Sequence, residues 1–380
     1  MIVYIITKLE LGGAQKVCLS LFKAFAADKQ AALITGSDGI LVEQVKGLDD
    51  VYLLPRMQRE VRLQGLLQEL KNVVAIVSIL RSLKRKHPHL IVHTHSTKAG
   101  ILGRWAAWLA GVKVRVHTVH GYAFHDHQDW FKWTLYFLPE YFTNFVTTSF
   151  ICVSEKDAAT GRRLLPGWGK KVSLVRAAVD ARYFTPAVVP PQADKPFTVG
   201  TISCFKPQKN LLDLLKAFAD FHRIMVAAGY PQPMLEIIGD GDQRSALESF
   251  VERNGLTQSV IFWGWQQDVL PFLRTWSVFA LSSLWEGLPC SVVEARLCKV
   301  PVIAYDVGGI AEVVINGKNG FVVAPGDWKR LADLLVDIAQ DPVFQRTLAD
   351  FGDALDDFDN KIMVKRHRTL YNSLLSSYQK

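Results

Sequence analysis

No disulfide framework can be drawn from this chain. Its five cysteines, at 18, 152, 204, 290 and 298, are odd in number and scattered, with no CxxC pair. That pattern argues against a zinc site and for reduced thiols in a cytosolic setting. Long apolar runs are missing too. No stretch reaches about 18 uncharged apolar residues, so nothing is expected to cross a bilayer. The opening "MIVYIITKLELGG" has six apolar residues before a polar turn, and reads as a first strand rather than a signal peptide. The GxGxxG fingerprint of dinucleotide binding is also absent. "LGGAQ" lacks its spacing, "IGDGDQRS" carries only part of it, and neither is followed by an acidic residue closing the next strand. A nicotinamide oxidoreductase is therefore disfavoured. No helix-turn-helix, zinc-finger or RNP-type aromatic motif occurs, so no nucleic-acid partner is expected.

What is present is a chain of 380 residues, 49% hydrophobic and 21% charged, long enough for two ordered cores. Its net charge of +8 is uneven. Residues 1–190 hold 25 Lys+Arg against 14 Asp+Glu, or +11; residues 191–380 hold 19 against 22, or −3. Such asymmetry points to an anionic surface that docks on the first half. The segment "RYFTPAVVPPQADKPF" (182–197) has four prolines and no helical period, which puts the domain junction there. On each side a short apolar strand opens into a loop and then an amphipathic helix. These are "IVYIIT", "KLELGGAQ" and "KVCLSLFKAF" before the junction, and "FTVGTIS", "CFKPQKN" and "LLDLLKAFADFHRI" after it. Further strands are expected at "QAALITG", "LIVHTH", "VRVHTVH", "MLEIIGD", "VIFWGW", "SVFALSS" and "PVIAYD". The alternation predicts an α/β chain of two Rossmann-like, doubly wound parallel-sheet domains facing a cleft, over 1–185 and 190–360.

The stretch "WEGLPCSVVEARLCKVPVIAYDVGG" (285–309) puts two carboxylates, Glu286 and Glu294, on a strand–loop–helix unit. Pro289 suits a first helical turn, which places Glu294 in the second. A wholly helical interval would hold the two carboxylates about 12 Å apart, and a loop would shorten this. They could serve two ends of one extended ligand, or be an exposed pair of helix-associated acids. The backbone N–H groups of Gly287, Leu288 and the residues after Pro289 would form an anion site at a helix start. Lys209 in "FKPQKN" is either a solvated helix-start lysine or a cation that stabilises a departing phosphate. Gly12 and Gly13 open the first helix, where bare backbone can approach a ligand closely; a simple tight turn is the alternative.

Together these residues carry a family likeness. "EGLPCSVVE" matches the E-x7-E signature of retaining GT-B glycosyltransferases, most like glycosyltransferase family 4. The stretches "CFKPQKN", "EIIGDGDQRSALE", "HTHSTKAGILGR" and "HTVHGYAFH" resemble that family as well, so the likeness covers nearly the whole chain. The resemblance implies transfer of a hexose or N-acetylhexosamine from a nucleotide sugar, with retention of configuration, no metal and no other cofactor. It places Glu294 on the ribose hydroxyls, Glu286 against the donor sugar, and Lys209 and the Gly12–Gly13 loop beside the diphosphate. His120 in "HTVHGY" would contact the donor sugar and support catalysis. The family has an arginine five positions before the lysine; here that position is Cys204, with Lys206 as a nearby substitute lacking the guanidinium fork. A UDP-sugar is favoured over a GDP-sugar, although contacts of "FWGWQQD" to the base would be largely backbone and do not choose. The terminal stretch 361–380 resembles the family helix that crosses back to the first domain. A sugar-nucleotide-binding module without turnover, or a transferase with a soluble acceptor, are the alternatives.

Eight of the ten histidines fall between 87 and 127. Mixed spacing and no nearby cysteine disfavour a metal site. His95 and Lys98 are expected in a strand-end loop that meets the acceptor, while His93 and His117 read as satisfied imidazoles beside the sheet. Two further segments stand out. "RMQREVRLQGLLQELKNVVAIVSILRSLKRKHP" (56–88) is basic and helical, and "DWFKWTLYFLPEYFTNF" (129–145) packs eight aromatics into 17 residues. Each alone reads as a core-facing helix with a solvated back. Both lie in the positive half, which favours peripheral attachment to anionic headgroups at the inner face of the cytoplasmic membrane. A lipid-linked acceptor would follow, as in bacterial surface polysaccharide or glycan assembly.

Overall fold

The computed structural model describes residues 1–55, 57, 66–187 and 195–379, so parts of the 56–88 and 182–197 segments lie outside the described residues. The chain divides into two compact units, Met1–Ala178 with Asn360–Lys380, and Val179–Asp359.

The first unit contains β1 (Ile2–Ile5), α1 (Gly13–Ala26), β2 (Ala31–Gly36), β3 (Val51–Leu54), α2 (Leu66–Lys86), β4 (Ile91–His95), α3 (Thr97–Leu109), β5 (Val114–Val119), α4 (Trp130–Phe145), β6 (Ser149–Cys152), α5 (Glu155–Leu164) and β7 (Val172–Leu174). Its seven strands pair in the order β3-β2-β1-β4-β5-β6-β7, and every pair is parallel. Parallel strands are covered on both faces and so read as continuous apolar runs. All of β1 and β2 is buried for this reason. Capping is conventional at two helices. The Asp129 side chain accepts from the Lys132 N–H ahead of α4, and Ser154 does the same for Asp157 ahead of α5.

The second unit contains β8 (Thr198–Ile202), α6 (Leu211–Ala227), β9 (Met234–Ile238), α7 (Arg244–Arg253), β10 (Val260–Gly264), α8 (Leu270–Leu273), β11 (Val278–Leu281), α9 (Cys290–Leu297), β12 (Val302–Tyr305), β13 (Gly320–Val323), α10 (Trp328–Gln340) and α11 (Pro342–Asp350). Six parallel strands run β10-β9-β8-β11-β12-β13. The last helix, α12 (Asn360–Gln379), packs with the first unit. Its buried Met363, His367 and Tyr371, four residues apart, form one stripe.

Each sheet reverses its winding direction once, between β1 and β4 in the first unit and between β8 and β11 in the second. Loops leaving the carboxyl ends of strands beside such a switch point are where open α/β sheets bind ligands. Those loops are Ile6–Gly12 and Ser96 in the first unit, and Ser203–Asn210 and Ser282–Pro289 in the second.

Candidate active site

In the second unit the two switch-point loops are tied together. After β11, the Leu284 N–H donates to the Gln208 carbonyl at 2.8 Å, and Gln208 Nε2 donates to the Trp285 carbonyl at 2.7 Å. The Ser282 hydroxyl caps the turn below, donating to the carbonyls of Lys209 and Asn210 at 3.1 and 2.9 Å. These bonds bring the Lys209 ammonium against the Glu286 carboxylate in an ion pair, with the two side chains only 16% and 9% exposed. Burial works against the ammonium, yet Glu286, aided by Cys204, outweighs it and lifts the Lys209 pKa above the ordinary lysine value. Lys209 is therefore no solvated surface lysine.

Glu294 sits in the second turn of α9 and is 2% exposed, so the two acids are not an exposed pair. The helix that carries it is anchored behind the rim. Arg296, fully buried, donates from Nε and Nη2 to Asp353 at 3.0 and 2.7 Å and from Nη1 to the Val300 carbonyl at 2.9 Å. The loop holding Gly287 and Leu288 is fixed from the β12 side, where the Gly309 N–H donates to the Gly287 carbonyl at 2.6 Å. Gly308, at φ 56°, makes this fit possible. A Cβ there would lie 2.3 Å from the Glu286 carbonyl oxygen and 2.4 Å from that of Gly287. Lys206 caps the short turn Pro207–Lys209 and is partly exposed, as is Cys204. The hydroxyls of Ser203 and Ser283, on the residues after β8 and β11, are buried without a hydrogen-bond partner. The second unit thus presents, at one switch point, a cation, two carboxylates, spare hydroxyls and a helix start. That set matches the needs of a sugar attached to a diphosphate and a ribose.

In the first unit Gly12 caps α1 and Gly13 begins it, with no side-chain cap on the helix amides. His120 follows β5, and its Nε2 lies 2.9 Å from Nδ1 of His95. His95 is not in a loop. It is the last residue of β4, fully buried, because the parallel register with β5 continues as far as His95↔Thr118. Its ring stands 4.3 Å from that of His93, which bonds through Nδ1 to the Tyr371 hydroxyl at 2.6 Å and through Nε2 to Thr118 Oγ1 at 2.7 Å. His117 meets Thr94 Oγ1 at 2.9 Å. Lys98 likewise is not in a loop but in the first turn of α3, where it pairs with Glu69. Burial pushes the His120 pKa down to about 3 and that of His367 down to about 4, with His93, His95 and His117 also well below the usual value. These imidazoles are neutral near pH 7, and His120 can offer a hydrogen bond but no positive charge. No group of three or more His, Cys, Asp or Glu able to hold a metal occurs among the described residues.

A family model described as "Glycosyl transferases group 1" matches residues 188–354, and one described as "Glycosyl transferase 4-like domain" matches residues 12–178. The chain belongs to the group 1, family-4-like glycosyltransferases. Among curated relatives, it is 29% identical over 344 residues to an Escherichia coli UDP-Gal:alpha-D-GlcNAc-diphosphoundecaprenol alpha-1,3-galactosyltransferase, covering 88% of this chain and 86% of the relative. It is 24% identical over 366 residues to the capsular polysaccharide biosynthesis glycosyltransferase CapM of Staphylococcus aureus, covering 90% of each. The crystal structure of Anabaena HepE in complex with UDP-glucose superposes with a TM-score of 0.78 over 99% of both chains at 21% identity, which establishes the shared GT-B fold.

Sequence reasoning about this glycosyltransferase missed Gln208, Ser282 and Gly308. The first two act through backbone carbonyls more than 70 residues away, and no local pattern signals that. Gly308 had a visible cue in the "DVGG" after a strand, since paired glycines there often mark close backbone approach.

Proposed function

We propose that this glycosyltransferase moves a hexose or N-acetylhexosamine from a nucleotide sugar, UDP-linked in preference to GDP-linked, to a lipid-linked saccharide at an anionic membrane surface, with retention of configuration and without an essential metal. The observation that carries the reading is the Lys209–Glu286 pair at the switch point of the second sheet, with Glu286 eight residues before the buried Glu294. The E. coli relative, named for a UDP-sugar donor and a diphosphoundecaprenol acceptor, supports the substrate classes.

In this reading the second unit holds the donor. A diphosphate carries more charge than a carboxylate, so it would draw the Lys209 ammonium from Glu286 and leave that acid free to accept hydrogen bonds from sugar hydroxyls. Lys206, the amides of Gly287 and Leu288, and the Gly12–Gly13 helix start would share the remaining phosphate charge. Glu294 would accept from the ribose. The acceptor hydroxyl then attacks the anomeric carbon from the face the diphosphate leaves. The carbon–oxygen bond to phosphate breaks, and the acceptor proton passes to the departing phosphate oxygen. Neutral His120 would hold a sugar hydroxyl by a hydrogen bond, a contribution of orientation, and being uncharged it would not oppose the positive charge that develops on the sugar ring. His95 and Lys98, both buried against partners, are better assigned to supporting this rim than to touching the acceptor.

Release of nucleoside diphosphate from a panel of UDP- and GDP-sugars tests the proposal. Slow release without acceptor, strongest for a UDP-sugar and insensitive to EDTA, is expected. Cys204, standing where the family has arginine, favours one other reading, a binding module without turnover. Tight nucleotide-sugar binding with no release across the panel would establish that instead.

A further inference from the structure

α4 has apolar residues on both faces: the partly buried Phe137 and Tyr141 pack against the core of the first unit, and a second set faces outward. Its buried residues are polar, namely Glu140, Thr143 and Asn144. Apart from Lys132, its most exposed residues are apolar: Trp130 is 77% exposed, Phe131 63%, Leu135 57%, Leu138 44%, Phe142 56% and Phe145 62%. At 3.6 residues per turn, Phe131, Leu135, Leu138, Phe142 and Phe145 fall within an arc of about 80°. They form one ridge along the helix. Taken alone the sequence of this segment reads as a core-facing helix with a solvated back, and taken with the basic 56–88 segment it favours attachment to anionic headgroups.

The orientation is locked from within the unit. Arg104 on α3 is fully buried and forks onto both oxygens of Glu140 at 2.8 Å, with Thr147 Oγ1 and the Gly100 carbonyl taking its other donors. Trp105 Nε1 donates to Thr143 Oγ1 at 2.9 Å, and Asn144 Nδ2 to the Pro166 carbonyl at 2.9 Å. Rolling the ridge inward would strand a buried guanidinium and a buried carboxylate, so the helix keeps its aromatic side outward.

α4 itself carries little charge. Its two charged groups are the inward Glu140 and the exposed Lys132, which pairs with the capping Asp129. Trp108 and Leu109, half exposed at the end of α3, extend the apolar surface beside Trp105. They abut the basic last turns of α2, where Arg81 and Lys84 donate to the carbonyls of Leu109 and Gly111, followed by Arg85 and Lys86. An aromatic ridge edged by cations suits the boundary between anionic headgroups and acyl chains.

We propose that α4 is the element that embeds this glycosyltransferase in the membrane: its ridge Phe131–Leu135–Leu138–Phe142–Phe145, with Trp130 at its edge, enters the headgroup–acyl boundary of an anionic lipid leaflet while the end of α2 binds the headgroups. This rests on the membrane-surface reading above and deepens it. Attachment is by insertion of a preformed apolar face and not by charge alone.

Flotation of the full chain with phosphatidylcholine vesicles and with mixed phosphatidylcholine–phosphatidylglycerol vesicles tests it. The wild type, Phe131→Ser/Phe142→Ser and Trp130→Phe would be compared, with tryptophan quenching by lipids brominated near the headgroup or near the chain end. The wild type should bind the anionic vesicles and retain binding at physiological salt. Near-headgroup bromine should quench it more than chain-end bromine, and Trp130→Phe should remove much of that quenching. The double serine variant should lose at least about tenfold in partitioning, with donor hydrolysis in solution unchanged. Undiminished vesicle binding by the double variant, with no bromine quenching, would overturn insertion by α4 while leaving the membrane reading intact. No wild-type binding to either vesicle would sink both. A concentration-dependent dimer in sedimentation, dissolved by the double variant and unaffected by lipid, would make the ridge an interface between copies and refute the proposal.

Discussion

Lowering the pH from 7.5 to 5 should loosen the first unit well before the second. His367 is 2% exposed, and burial pushes its pKa down to about 4 from an ordinary 6.5. Its stabilising contribution is complete above pH 6.5, where folded and unfolded chains are both neutral. Below that, the unfolded chain takes up a proton that the folded one refuses, and stability falls until the pH reaches about 4. At pH 5 the loss from His367 alone is about 2 kcal/mol, and its limit is about 3.4 kcal/mol. A domain has only about 5–15 kcal/mol to lose. His93, His95 and His117 are buried in the same unit and act in the same direction, together outweighing Asp157, whose carboxyl burial raises to about 7 and which acts the opposite way; the second unit's one histidine is His222. Hydrogen exchange followed by mass spectrometry, corrected for intrinsic rates, would read each unit separately. Protection in β4 and α12 should collapse between about pH 6 and 4 while β11 and β12 hold. His367→Leu should reduce the proton uptake on unfolding in this range by about one. Equal protection of both units across the range, or an unchanged proton count in the variant, would refute the reasoning.

Other perturbations follow from the same geometry. Glu286→Gln should abolish transfer but leave nucleoside diphosphate affinity equal or a few-fold higher by calorimetry, because Lys209 is released for phosphate; Lys209→Ala should weaken that affinity about tenfold or more. Gly308→Ala should cost turnover heavily, since its Cβ would drive apart the Glu286 and Gly287 carbonyls, and steady-state kinetics would show kcat falling with the fold retained by circular dichroism. Arg104→Leu should destabilise the first unit by about 3–5 kcal/mol in urea titration, as it leaves Glu140 buried without its cation.

Much of the fold is legible in the sequence because β-branched runs such as "IVYIIT" and "PVIAYD" stand apart from their loops. The strands not anticipated are β3, β6, β7 and β13, each of three or four residues. β6 follows so closely on the aromatic α4 that periodicity cannot divide them. The orientation of α4 is fixed by Arg104, 36 positions from Glu140. Composition alone does not say which of its aromatics face out; the partner of the buried charge decides it. His95 reads as a loop residue in the sequence because strand ends depend on register with a neighbour, here β5, and register is not written in β4 alone. The individual acids and the lysine of the site could be picked out locally, but the Lys209–Glu286 pairing spans 77 residues and exists only once β8 and β11 lie side by side.

A crystal of the protein soaked with a UDP-sugar tests the central claim most directly. The account predicts the diphosphate within hydrogen-bonding distance of the Lys209 ammonium, the ribose on Glu294, and the Lys209–Glu286 pair opened. A nucleotide bound away from the β8 and β11 loops, with that pair still closed, would contradict it.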